Sequence, residues 1–212
     1  IAIVPDMDRY YLGKPKNVIT TKGVLSKYSD SEIKPKTGLI IIGGKSRHYH
    51  FRKKVVNQQI EWLLNDQFKD YQWKITTSPR SPNLDIPKHS GNAEFFSWKD
   101  TEEDWLTEEI KQSEVTFLTP ESVSVLYEGL STNTKVYVFH HEHHTADQYG
   151  SEKKTKVTKN IDKLKLQGQI GYIDSKRYML SRSIKSADLK HPKISKPLRE
   201  TKRVVEKLFE IL

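Results

Sequence analysis

The stretch Gly38-Leu39-Ile40-Ile41-Ile42-Gly43-Gly44-Lys45-Ser46-Arg47-His48-Tyr49-His50 decides how this chain is read. Leu39 to Ile42 form a short unbroken run of branched apolar residues, the pattern of a strand buried on both faces of a parallel sheet. A glycine pair follows at once, and an amphipathic segment begins soon after. Glycine lets the backbone turn sharply and brings amide N–H groups close to a ligand, while Ser46 and Arg47 add a hydroxyl and a guanidinium. The expected chemistry is phosphate binding at Gly43, Gly44, Ser46 and Arg47; the alternative is a tight strand-to-helix turn with no ligand. Two better-known phosphate motifs are excluded. Gly44-Lys45-Ser46 has the ending of a P-loop, but the earlier glycine of that motif would fall on Leu39. The three spaced glycines of the dinucleotide fingerprint are missing as well.

Outward from this stretch, strand-like and helix-like segments alternate, which predicts an α/β fold: a Rossmann-like, mostly parallel sheet with helices on both faces. The expected strands are Leu39 to Ile42, Trp73 to Thr76, Glu94 to Phe96, Val115 to Leu118, Val136 to Phe139 and Ile170 to Ile173. Helices are expected over 52–68, with Val56, Ile60, Leu63 and Leu64 on one face, and over 102–112, capped by Thr101. A third is expected over 120–131, with Thr119 as cap and Pro120 at its first position. Lys153 to Lys165 reads as the wet face of an amphipathic helix carrying Val157, Ile161 and Leu164. A last helix, opened by Pro197, carries Leu198, Val205, Leu208, Phe209 and Leu212. Residues 1–30 read differently, as a strand Ile1 to Pro5, a polar loop around Asp6-Met7-Asp8 and a short strand near Val18 to Thr20. They are expected to be the end of a preceding domain plus its linker, before a nucleotide-binding domain over 31–190 and a final helix over 191–212.

In an open parallel sheet, ligands bind beyond the carboxyl ends of the strands, so the loops there hold the candidate residues. After the second strand come Thr77, Ser78 and Arg80, the last stiffened between Pro79 and Pro82 and able to grip phosphate with its guanidinium. After the fourth come Glu121, Ser122 and Ser124, with the serines in the first turn of a helix, where free amides and the dipole favour an anion. Glu128, further along that helix, could accept both hydroxyls of a ribose. The plainer alternatives are that Thr119 and Ser122 only cap a helix and that Arg80 and Glu128 are solvated surface side chains. The run His140-His141-Glu142-His143-His144 offers imidazoles and a carboxylate, but its order is one residue short of the helical spacing of a zinc motif. No metal site is expected there.

A chain of 212 residues without cysteine has no disulfide framework and no thiolate metal site, which fits a reducing, cytoplasmic setting. No apolar stretch reaches the length of a membrane span. The net charge of +9 favours anionic partners, namely nucleotides or peripheral contact with an acidic membrane surface. Aromatic residues do not alternate with the basic ones as on a single-strand stacking platform, so specific nucleic-acid binding is not expected. The chain opens on Ile1 inside a strand without an initiator Met, so further chain upstream is expected.

Four successive motifs are Gly43-Gly44-x-Ser46-Arg47-His48-Tyr49, Thr77-Ser78-x-Arg80-x-Pro82, Thr119-x-Glu121-Ser122-Val123-Ser124 with Glu128, and Pro197-Leu198-x-Glu200-Thr201-x-Arg203. In order and spacing this series resembles the plant mitochondrial-fission ELM family and its bacterial relatives. The resemblance implies the C-terminal half of a GT-B-like two-domain protein, in which two Rossmann-like domains face each other and the final helix crosses back to the first. It implies a glycosyltransferase that takes a nucleotide sugar, such as a UDP-linked one, and transfers it to an unidentified acceptor, with no metal or other cofactor required. It equally admits a non-catalytic adaptor that recruits dynamin-related partners. Met7 stands where family members usually carry a His, leaving Asp8 as the candidate base.

Overall fold

The computed structural model describes residues 1–8, 17–26, 32–84, 89–143, 154–174, 187–194 and 196–211. Its centre is an eight-stranded sheet made of β3 (Lys34–Ile42), β4 (Gln72–Thr77), β5 (His89–Ser90), β6 (Ala93–Phe96), β7 (Ser113–Leu118), β8 (Lys135–Val138), β9 (Gly171–Asp174) and β10 (Asp188–Lys190). Across the sheet they run β10, β9, β8, β7, β3, β4, β6, β5. The six inner strands are parallel, and β5 and β10 close the two edges in antiparallel fashion. Neither edge strand is among the expected elements. Both are too short to carry an alternating pattern, and short strands are the usual device for blunting a sheet edge.

Chain order reverses between β3 and β7. The segments β3, β4 and β6 step one way across the sheet, and β7, β8 and β9 step the other way from the same starting line. This is the doubly wound arrangement, and its crevice lies at the carboxyl ends of β3 and β7.

The unbroken apolar run in β3 works because its side chains alternate between two cores. Ile40 and Ile42, with Trp73, Phe117 and Tyr137, pack under Val56, Ile60 and Leu63 of the segment that opens as helix α1 (Lys53–Trp62). Leu39 and Ile41, with Leu118, Val136 and Val138, pack under the other helices: α2 (Trp105–Gln112), α3 (Val123–Leu130) and α4 (Lys156–Leu166). The helix expected over 52–68 is real, but its last turn, Leu63–Gln67, widens to a π turn closed by the Phe68 amide on the Leu63 carbonyl at 2.9 Å. Widening drops Phe68 onto Trp73 and Phe117, with ring centroids 5.8 Å away in each case.

Two helix starts fall later than expected. Helix α2 begins at Trp105, because the Thr101 hydroxyl bonds to the Trp98 carbonyl at 3.3 Å within its own turn and caps nothing further on. Helix α3 begins at Val123, because Thr119 is drawn away from the helix into the contacts described below. The last helix, α5 (Glu200–Ile211), begins after Pro197 and Leu198, whose amide bonds to the Leu130 carbonyl at 2.7 Å.

Residues 1–8 and 17–26 contribute a separate parallel pair, β1 (Ala2–Pro5) with β2 (Val18–Thr21), and a 3₁₀ turn at Asp6–Asp8 directly after β1. Helix α5 docks on this pair. Glu200 accepts from the Lys22 amide at 2.9 Å, and Arg203 donates both to Glu200 and to the Thr20 carbonyl at 2.6 Å. Burial pushes the Glu200 carboxyl up, but the Arg203 guanidinium and the Lys22 amide outweigh it and hold the carboxyl below its usual range. The opposite stripe of α5 leaves Val205, Phe209 and Ile211 exposed. Among the described residues no helix is long and apolar enough to cross a membrane.

Candidate functional site

Three of the loops singled out above meet at the crevice. Gly43 and Gly44 leave β3, Ser78 to Ser81 leave β4, and Thr119 to Ser122 leave β7. The Gly43 amide donates to the Thr119 hydroxyl oxygen at 2.7 Å, the Gly44 amide to Glu121 Oε1 at 2.8 Å, and the Thr119 hydroxyl to that same Oε1 at 2.8 Å. The two amides are therefore engaged by the chain's own side chains. Space explains the glycines: a Cβ on Gly43 would lie 1.9 Å from Glu121 Oε1, and one on Gly44 would lie 1.8 Å from the Arg80 carbonyl oxygen. Any side chain would push the three loops apart.

Glu121 is 8% exposed. Burial pushes its carboxyl above the usual glutamate range, opposed by its own backbone amide, Thr119, the Gly44 amide and the positive charge of Arg80. A carboxylate thus sits where a phosphate was expected, with Arg80 exposed nearby.

The Arg80 loop is built by its serines. Ser78 and Ser81 bond to each other, and the Ser81 hydroxyl donates to the Ile42 carbonyl at 2.6 Å, tying the loop to the end of β3. Thr77 ends β4, half-buried beside it. Ser122 stands at the head of α3 with no capping bond from its side chain, and Ser124 is exposed in the first turn. The Ser122 and Val123 amides bond to the Thr119 and Glu121 carbonyls at 3.3 and 3.1 Å, so what the start of α3 can offer an anion is the helix dipole and the Ser122 and Ser124 hydroxyls.

Other expected site residues lie elsewhere or serve the fold. Ser46 accepts from the His48 and Tyr49 amides at 3.1 and 3.3 Å and shapes its own turn, while Arg47 is exposed. Glu128 accepts from the Thr107 hydroxyl of α2 at 2.5 Å, toward the end of α3 rather than its start. Asp8 is paired with Lys156 at the beginning of α4, and Asp6 with Lys163 at 2.5 Å.

The histidine run follows β8 as expected for a loop, and His144 lies outside the described residues. Among the described residues no group of three or more His, Asp or Glu side chains is placed to hold a metal ion. The run instead pairs with the loop after β3. Tyr49 bridges His143, the His50 amide donates to the Glu142 carbonyl at 2.8 Å, and Arg52 pairs with Glu142 at 2.7 Å. Beneath this flap His141, 7% exposed, has both ring nitrogens without a hydrogen-bond partner, as does the Tyr49 hydroxyl. Burial holds the His141 imidazole down at about 4.

A model of the mitochondrial fission ELM1 family matches residues 1–212. The chain belongs to that family. No curated protein matches it. Among solved structures, the glycosyltransferase SnogD from Streptomyces nogalater is similar with a TM-score of 0.36 and 11% identity, over 55% of this chain and 29% of that one. This ELM1-family chain therefore spans less than a third of the glycosyltransferase it matches.

Several contacts that shape the site escape sequence reading. Ser81 and Thr119 carry hydroxyls like dozens of surface residues, and only the convergence of separate loops reveals them as latches. Glu121 directly follows Pro120 in a polar loop, so its burial has no signal in periodicity. Two clefts away from the crevice were also unforeseen. One, of about 380 Å³, lies at the opposite, amino edge of the sheet beside Gly38, Trp73 and Asn92, the end where doubly wound folds do not bind ligands. The other, about 460 Å³, lies between the Asp6–Asp8 turn and α4.

Proposed function

We propose that this chain binds a nucleotide sugar at the carboxyl edge of its sheet, as the donor half of a glycosyltransferase-like protein. The observation that carries this reading is the meeting of the loops after β3, β4 and β7 at the point where strand order reverses. The diphosphate is assigned to the head of α3, at Ser122 and Ser124, with Arg80 across from it. Such a set would stabilise the charge on a departing nucleoside diphosphate through a helix dipole, two hydroxyls and a guanidinium, without a metal. Gly43 and Gly44 act indirectly, by letting Thr119 and Glu121 lock the crevice floor. A ribose contact by Glu128 would require it to exchange the Thr107 hydroxyl for the sugar, and a base role for Asp8 would require release from Lys156.

Calorimetry with UDP and UDP-sugars tests the reading. Arg80→Ala should weaken binding by roughly 1.5–3 kcal/mol and Ser122→Ala by about 0.5–1.5 kcal/mol. No heat from any of them at millimolar ligand would remove the donor-site reading.

One observation favours a second reading, the non-catalytic adaptor. The Glu121 carboxylate already fills the amide cradle after β3, as in a fold that has kept its architecture while closing its site. An adaptor of this kind would recruit dynamin-related partners and bind no nucleotide.

A further inference from the structure

The cleft between the Asp6–Asp8 turn and α4 holds Lys159 and Asn160, which neither reading uses. It is about 460 Å³, within the range of small-molecule sites. Lys156, Lys159 and Lys163 line it from successive turns of α4, facing Asp6 and Asp8. Lys156 is paired with Asp8 and Lys163 with Asp6, while Lys159 has no ion-pair partner among the described residues. The cleft therefore holds one more ammonium than carboxylate.

Asn160, only 4% exposed, sits between these lysines. Its Oδ1 accepts from the Tyr127 hydroxyl at 3.0 Å, which turns the amide hydrogens the other way, and its Nδ2 has no partner. An unmet buried donor is costly, and most such groups in folded proteins face a water or a ligand acceptor. Lys159 and Lys163 are neighbours on the helix surface, and Asn160 lies one turn before Lys163 and one turn after Lys156, all four lining the cleft.

We propose that this cleft binds a phosphomonoester group, held between the Lys159 and Lys163 ammoniums and the Asn160 Nδ2 donor. A phosphomonoester supplies several strong acceptor oxygens and close to two negative charges near neutral pH, matching a buried amide donor flanked by cations. The exposed pairs with Asp6 and Asp8 do not block it, since surface ion pairs contribute only about 0–1 kcal/mol and exchange readily. The site shares no lining residue with the crevice at β3 and β7 and stands whether or not that crevice takes a nucleotide.

The group could belong to a soluble metabolite or to a lipid headgroup, and two arms of one experiment separate these. Calorimetry of the full chain with glycerol 3-phosphate reads the first. Co-sedimentation with phosphatidylcholine vesicles, with and without phosphatidic acid, reads the second. Lys159→Glu changes an exposed residue and keeps the fold. Asn160→Asp keeps the acceptor for Tyr127 and replaces the donor with a carboxylate. Each should weaken binding by about ten-fold or more in whichever arm shows it, the loss of a charge-assisted contact. UDP binding should be unchanged in both variants. Failure of both ligands to bind at millimolar phosphate, or binding that ignores both substitutions, would overturn the proposal and leave Asn160 Nδ2 as a hydrated donor only.

Discussion

The crevice at β3 and β7 and the cleft beside α4 are opposites. In the crevice, glycine amides, a threonine hydroxyl and a buried glutamate satisfy one another at 2.7–2.8 Å, and no spare room remains for a side chain on either glycine. In the cleft, lysines and aspartates pair directly at the surface, Lys163 with Asp6 at 2.5 Å, yet one ammonium has no carboxylate of its own and a buried amide donor goes unmet. The region with the motif-like sequence is the self-contained one. The contrast teaches that a glycine turn after a strand reports close backbone approach, and that the approaching group can be the protein itself.

The contrast breaks most visibly at Gly44. Gly44→Ala places a Cβ against the Arg80 carbonyl, backbone that cannot swing aside, and should cost about 3 kcal/mol in chemical denaturation. Native-like stability in that variant would mean the crevice is as open as the cleft.

His141, under the flap that joins the loops after β3 and β8, gives an effect of similar size that depends on pH. Its neutral form is the one that fits, and the folded-state value near 4 lies below the unfolded value. The unfolded chain therefore binds the proton first, and stability falls as pH drops from about 6.5 towards 4, by roughly 3 kcal/mol over that window. His141→Phe, which keeps a ring against Phe51, should flatten this slope. An unchanged slope would assign the acid sensitivity to other groups.

Glu121 sharpens the comparison from the crevice side. Glu121→Ala strips the Gly44 amide and the Thr119 hydroxyl of their acceptor and should cost about 1–3 kcal/mol. Glu121→Gln keeps an acceptor oxygen and removes the buried charge. Because burial raises the folded-state value of Glu121, the wild type should lose stability relative to Glu121→Gln as pH rises through and above the usual glutamate range. The opposite slope would show that Arg80 and the amides more than compensate for burial.

The smallest effect belongs to the cleft. Lys156→Ala breaks the pair with Asp8, yet should cost less than about 1 kcal/mol, and less still at high salt. A larger, salt-independent loss would make this turn structural, like the crevice.

Much of the fold is legible in the sequence because burial on two faces leaves a strong trace. The Val115 to Leu118 run and the apolar stripe of α1 announce their elements within a residue or two, while the Leu39 to Ile42 run marks only the buried end of β3, which begins earlier, at Lys34, in a polar stretch with no such pattern. Edges and caps are harder. The antiparallel strands β5 and β10 are too short for a pattern, and the Thr119-Pro120 pair reads as a helix start although the threonine is claimed by Gly43. The site is legible only in outline. Polarity and order point to the loops after β3, β4 and β7, but which donor meets which acceptor depends on contacts over 76 or 77 positions in sequence, as between Gly43 and Thr119 or Gly44 and Glu121. Glu128 illustrates the limit: its helix was identified, while its partner Thr107 comes from a neighbouring helix that periodicity does not orient.

The central claim is that the glycine pair serves the fold and that any diphosphate belongs to the head of α3. A crystal structure of the protein with UDP tests it most directly. The account predicts phosphate oxygens at the Ser122 and Ser124 hydroxyls with Arg80 closing over them, while the Gly44 amide still donates to Glu121. Phosphate oxygens on the Gly43 and Gly44 amides, with the Glu121 side chain swung out of the crevice, would contradict it.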